Sequence, residues 1–281
     1  MAIFYAVCCL LFSGFNDFAF KCFAGKPSSR GFFVLVCGLV WMLIMMLIPA
    51  NWGTNLTATL LTGSISGIFS LLGNILLIES MARQNVGVCS TIYRLNLILV
   101  IPLAVIFLGE KINVFQLTGI LFALGAIIGF LPSSRQQAEN KAAQKLGMTL
   151  VITASVLRAL MGISYKYGFS CGADPQAVTV CNAVCWIAGG ALYAVFREKV
   201  YRIDRPTWKA GVLSGVLICG IVFFMAKMLQ AGNASITLPI AQMSFLLTFV
   251  LGAVFLKEKC PRRTILSAAA GTAAVLLLSV S

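Results

Sequence analysis

Phe107-Leu108-Gly109-Glu110-Lys111 returns 148 residues later as Phe255-Leu256-Lys257-Glu258-Lys259. In the same gapless register Gly63, Ser66 and Gly67 meet Gly211, Ser214 and Gly215, and Asn85 meets Asn233. Closer to the N-terminus the match is better at an offset of 145, where Lys21 meets Lys166 and Trp41 meets Trp186. A three-residue length difference before the third apolar segment of each copy reconciles the two offsets. Self-similarity at a fixed spacing marks a duplicated unit. The chain therefore reads as two copies, 1–132 and 146–281, joined by a cytoplasmic linker over 133–145.

Composition says what each unit is made of. Of the 281 residues 60% are hydrophobic and 10% charged, with a mean hydropathy of +0.97. A soluble domain carries about 25% charged residues, so this chain lacks the polar surface to cover a water-facing globule. That excludes a soluble enzyme, a secreted disulfide scaffold and a disordered chain. A membrane-spanning helix needs roughly 20 apolar residues. Ten such runs are present, at about 2–24, 31–49, 57–81, 86–108, 114–131, 147–169, 175–196, 209–230, 234–256 and 263–280. They are too long for barrel strands and do not alternate as such strands must. The first run has no positive n-region and reads as a span, not as a cleaved signal. Because five crossings is an odd number, the second unit enters the membrane inverted. The expected fold is an all-α polytopic membrane protein, ten transmembrane helices in a 5+5 inverted-topology repeat.

The net charge of +13, from 21 Lys and Arg against 8 Asp and Glu, would suggest nucleic acid in a soluble protein. Here it reports topology. Fifteen basic residues fall in loops that follow odd-numbered helices, Lys111 alone follows an even-numbered one, and five lie inside helices. By the positive-inside rule the odd loops are cytoplasmic and both termini lie outside. A bacterial cytoplasmic membrane is the expected location. The ten cysteines mostly sit in apolar runs, and the sequence has no CxxC and no histidine. They read as small apolar residues, and no metal or cofactor is expected.

Each half carries an apolar helix ending in a Gly-Glu or Lys-Glu turn, followed by a glycine- and alanine-rich helix. The first runs from Ile101-Pro102 to Gly109-Glu110-Lys111 and on through Gly119, Gly125 and Gly129. The second runs from Leu238-Pro239 to Leu256-Lys257-Glu258-Lys259 and on to Gly271, with Lys257 where the first has Gly109. With the 5+5 duplication, this pattern resembles the EamA-type branch of the drug/metabolite transporter superfamily. The resemblance covers nearly the whole chain. It implies that helices 1–4 and 6–9 surround a central cavity while 5 and 10 support it from outside. Transport by alternating access about a midplane site is the architecture that inverted repeats serve.

Charged residues at a helix centre cost about 2.5–3.5 kcal/mol on insertion scales and normally face a cavity or a partner. Trp41, Tyr93, Arg94, Asn96, Arg158, Trp186 and Gln242 are therefore the candidate substrate-binding residues. Arg94 sits beside Tyr93 and Asn96, and its repeat mate is Gln242. Asp17, Lys21, Glu79 and Lys166 are candidates for gating or coupling. Asp17 and Lys21 share a helix face beside Asn16 and could also be a structural pair; Lys166 and Lys227 could simply snorkel. Gly63-x3-Gly67, Gly125-x3-Gly129 and Gly211-x3-Gly215 read as close-packing sites. Pro102 and Pro239 read as kinks.

Two deep arginines with few opposing carboxylates point to a substrate with a negative group, an amino-acid carboxylate or another organic acid. If transport is proton-coupled, Asp17 is the first carrier and Glu79 the second. The expected partners are a small molecule, the bilayer and protons, without nucleic acid, and the expected state is a monomer. Alternatives are an exporter of lipophilic drugs, a non-transporting membrane protein or a membrane-embedded enzyme. The sequence offers no nucleophile–base set for the last of these.

Overall fold

A computed structural model describes residues 1–26, 28–50, 52, 55–96, 98–99, 113–130, 138–231, 240–258 and 260–278, with backbone alone at 138–141, 226, 229–231 and 278. Ile101-Pro102, Phe107–Lys111, Arg135, Asn233, Leu238-Pro239 and Lys259 lie outside the described residues.

Among the described residues ten α-helices follow one another: α1 Ala2–Ala24, α2 Arg30–Met45, α3 Leu56–Met81, α4 Val86–Arg94 and α5 Val114–Phe130, then α6 Ala138–Ser170, α7 Pro175–Leu192, α8 Arg205–Ala231, α9 Ser244–Phe255 and α10 Arg262–Leu278. A π-helical turn, Tyr193–Glu198, prolongs α7. Among the described residues five segments are long and apolar enough by themselves to cross a bilayer: Ala2–Ala24, Leu56–Met81, Ala142–Ser170, Pro175–Glu198 and Arg205–Met225. At 1.5 Å per residue, the 16 residues of α2 reach about 24 Å, short of the roughly 30 Å hydrocarbon core.

Local chemistry sets where the helices start. Ser29 Oγ accepts from Phe32 N–H at 3.1 Å at the start of α2, and its repeat mate Asp174 accepts from Ala177 N–H at 2.8 Å at the start of α7. Pro175 then occupies the first turn, where a missing N–H costs nothing. The N–H of Val86, opening α4, goes to the Glu258 carboxylate at 2.9 and 3.0 Å. Glu258 thus caps a helix of the other half.

Two boundaries differ from expectation. α6 begins at Ala138, inside the expected linker, because the Ala-, Lys- and Gln-rich stretch from 138 to 145 favours helix. α4 stops after Arg94 in a turn at Leu95, where φ is −75° and ψ 9°. Its repeat mate Met243, with φ −70° and ψ 3°, interrupts the other half at the equivalent place, between a turn of helix at Ile240–Gln242 and α9. Both were expected to be continuous spans.

Helix pairing is nearly unchanged when the two halves are exchanged. α3 packs on α6 as α8 packs on α1, and α3 packs on α7 as α8 packs on α2. α2 meets α7, α4 meets α9 and α5 meets α10 across the pseudo-twofold. The glycine pairs show what holds this together. A Cβ on Gly67 would lie 2.7 Å from Cys185 Sγ, and one on Gly215 would lie 2.6 Å from Val40 Cβ, the repeat mate of Cys185. Gly125 is a correction: among the described residues a Cβ there would meet no neighbouring helix within 4 Å, and α5 meets α10 instead through Gly129, against Ser267. The i, i+4 spacing marks a helix face but does not say whether a neighbour lies on it.

Candidate functional site

A cavity of about 350 Å³ lies inside the bundle between α1–α4 and α6–α8. Five of the seven expected binding residues line it: Trp41, Tyr93, Arg94, Arg158 and Trp186. Asp17 joins them. Its Oδ2 accepts from Ser90 Oγ at 2.5 Å and stands 3.4 Å from Arg94 Nη2, an ion pair buried on both sides. Arg158 donates from Nη1 to Tyr93 Oη at 3.3 Å and its guanidinium lies 4.7 Å from the centre of the Tyr93 ring. The two indoles meet edge to face at 5.6 Å. Trp186 Nε1 donates to Ser70 Oγ at 3.0 Å.

Three buried side-chain atoms of residues that line this space have no hydrogen-bond partner among the described residues: Asn16 Oδ1, Trp41 Nε1 and Arg94 Nε. Each belongs to a residue no more than 5% exposed. A buried polar group without a partner costs about 1–3 kcal/mol, so these three lining residues carry one acceptor and two donors that the described protein atoms leave unused.

The two halves furnish unlike walls. Asn16, Ser70 and Asn74 face the cavity from the first half; their repeat mates Met161, Ile218 and Val222 face it from the second. Ile221 and Met225 extend the apolar side, while Arg158, Tyr165 and Thr179 add polar groups to it. Sequence reading missed Ser70 and Asn74, although Ser66, Ser70 and Asn74 recur every four residues on α3, the spacing of one helix face. Ser66 Oγ donates to Asn182 Oδ1 at 2.9 Å, and Asn182 in turn bonds Tyr165.

The ends of the bundle differ. At the basic end, where α1 stops and α2 starts, Phe23 and Phe33 stack at 4.1 Å and Phe20 packs beside them. Around them Lys21 pairs with Glu258 at 3.4 Å, Arg30 with Glu79 at 2.9 Å and Arg83 with Glu79 at 2.6 Å. These are all the ion pairs among the described residues apart from Asp17–Arg94. Towards the other end the lining continues to Thr179, one turn into α7, and to Met225 and Tyr165 near the ends of α8 and α6.

Comparison with known proteins decides the class of molecule. The sequence pattern of the EamA-like transporter family matches residues 1–131 and matches again over 145–280. The chain belongs to the EamA-like transporter family. It is a multi-pass membrane transporter of the drug/metabolite kind. One solved crystal structure superposes with a TM-score of 0.63 at 13% identity, over 98% of this chain and 95% of its own, a likeness of fold. No curated protein matches.

Asn96 and Gln242 do not line the cavity; each flanks a helix break, where the phase assumed for a continuous helix is lost. Both keep a buried side-chain oxygen without a hydrogen-bond partner among the described residues. Lys21 does not pair with Asp17: it bonds Glu258 and donates to the carbonyls of Met81 and Gln84 at 2.7 and 2.6 Å. Glu79 is held at the basic end by Arg30 and Arg83, with Tyr193 Oη donating at 3.4 Å. Lys166 is exposed near the opposite end, outside the cavity.

Proposed function

We propose that this EamA protein moves a small amphipathic organic anion, of the amino-acid or organic-acid kind, by alternating access as a secondary transporter. One observation carries the reading: Trp41, Arg94 and Asn16, each with a buried polar atom unpartnered among the described residues, line a cavity that also holds Arg158. Two guanidinium groups face one carboxylate there, so the site has a positive surplus that a substrate carboxylate balances. A carboxylate takes two parallel N–H donors from an arginine more readily than any neutral group does. The apolar wall suits a hydrocarbon or aromatic body.

Asp17 is the coupling candidate, because it is the one carboxylate among the described lining residues and shares Arg94 with the substrate. In this reading the basic end is cytoplasmic and sealed by aromatic packing and ion pairs, and the cavity communicates with the opposite side. Both termini then lie outside, and the protein works as a monomer in a bacterial cytoplasmic membrane.

The test is a thermal-shift screen of purified protein against organic acids, amino acids and their neutral amides, followed by uptake into proteoliposomes. A ligand at a hundred times its Kd stabilises by about 2.7 kcal/mol, so acids should raise the melting temperature and amides should not. Arg158→Gln should abolish both the shift and the uptake, with the unliganded melting temperature kept. Stabilisation by neutral lipophilic compounds alone would replace the anion by a drug-like substrate. Lipid turnover without uptake of any metabolite would end the transport reading.

A further inference from the structure

Away from the central cavity, two lateral clefts open on the flanks of the bundle, and they are repeat mates. One, of about 430 Å³, lies at the basic end between α1 and α8, the other, of about 480 Å³, at the opposite end between α3 and α6. Ala19, Phe23, Lys26, Arg205, Lys209 and Leu213 of the first correspond to Ser164, Gly168, Cys171, Thr57, Leu61 and Ile65 of the second. The shape is therefore inherited from the duplication. The charge is not: Lys26, Arg205 and Lys209 stand where the mate has Cys171, Thr57 and Leu61.

The three cations are exposed, and none forms an ion pair among the described residues. Asp204, the nearest acid in sequence, is already engaged by the hydroxyls of Ser28 and Thr207. Below the cations the cleft is walled by Ala19, Phe23 and Leu213, which belong to the membrane-spanning stretches of α1 and α8. Trp208, about half exposed on the first turn of α8, marks the level of the headgroups. A free anion would use the cations but not the apolar walls below them. A lipid with a negative headgroup uses both.

We propose that the cleft between α1 and α8 is a binding site for an anionic phospholipid, its phosphate held by Lys26, Arg205 and Lys209 and an acyl chain laid along Phe23, Ala19 and Leu213. The mate cleft, with the same form and no cation, has no such preference. The site is independent of the transport substrate.

Native mass spectrometry of the detergent-purified protein, titrated with phosphatidylglycerol or phosphatidylcholine, tests this. Wild type should retain phosphatidylglycerol in preference to phosphatidylcholine. Each basic residue near an anionic surface contributes about a fivefold factor, so Lys26→Gln/Arg205→Gln/Lys209→Gln should lose the preference about a hundredfold. Arg197→Gln/Arg202→Gln/Arg262→Gln, which removes three exposed charges outside the cleft, should keep it. Ala19→Trp, which fills the cleft and leaves the charges, should reduce lipid retention without changing the melting temperature. Equal retention of both lipids by wild type, or equal loss in the two triple variants, overturns the proposal. Displacement by millimolar inorganic phosphate as effectively as by lipid also overturns it, since the occupant would then be a soluble anion.

Discussion

Trp41 and Trp186 occupy equivalent positions in the two halves, yet only Trp186 has its indole N–H taken, by Ser70. The pair separates a structural role from a ligand-facing one. Trp41→Phe keeps an aromatic ring and removes a donor that has no partner among the described residues, so the melting temperature should hold while ligand affinity falls about tenfold, or ~1.4 kcal/mol. Trp186→Phe should instead lower unliganded stability by ~1 kcal/mol, because Ser70 Oγ loses its partner. Ligand titration and thermal melts on both variants decide it; the opposite ranking would move the ligand to the second half. Depth alone made Trp41, Arg94, Arg158 and Trp186 readable in the sequence, since buried charge and mid-helix tryptophan need a reason. Ser70 and Asn74 were hidden because a hydroxyl or amide inside an apolar run also bonds its own helix, as Asn74 does to the Ser70 carbonyl at 2.8 Å.

At the scale of helices, contact and spacing part company. Gly67 and Gly215 are repeat mates pressed against α7 and α2, whereas a Cβ on Gly125 of α5 would meet no neighbouring helix within 4 Å among the described residues. Gly67→Val and Gly215→Val should each cost about 1–3 kcal/mol by overpacking, seen as lower melting temperatures in detergent. Gly125→Val should leave the melting temperature unchanged; an equal loss at all three would mean that helix propensity, not packing, is at stake. Helix number and order were legible, because every span is an apolar run bounded by charge, glycine or proline. The breaks at Leu95 and Met243 were not. Neither position is glycine or proline, and a turn with φ and ψ near −70° and 5° is open to any residue. The break after Arg94 puts irregular backbone next to a cavity-lining residue, as discontinuous helices do in transporters.

For the whole molecule, the asymmetry between its ends makes a directional statement. In a background lacking the native cysteines, Thr179→Cys and Met225→Cys should react with a membrane-impermeant thiol reagent added to the side opposite the basic end, and ligand should slow the reaction. Phe33→Cys should resist the reagent from both sides, because it lies at the centre of the aromatic cluster. Rapid reaction of Phe33→Cys from the basic side would mean that this end is open at rest. The charge bias already told the two ends apart in the sequence; which of them is closed depends on packing between distant helices, and no local pattern encodes that.

The unlike walls of the cavity bear on how such a chain could have arisen. Two identical five-helix units assembled about the same pseudo-twofold would set Asn16 opposite a second Asn16, and Ser70 and Asn74 opposite their own copies. The other unit alone would do the same with Met161, Ile218 and Val222. At these three positions a homodimer could thus set only polar against polar or apolar against apolar. Joining the copies in one chain allowed each to change without the other, and the division of Asn16 from Met161 is what that freedom made possible.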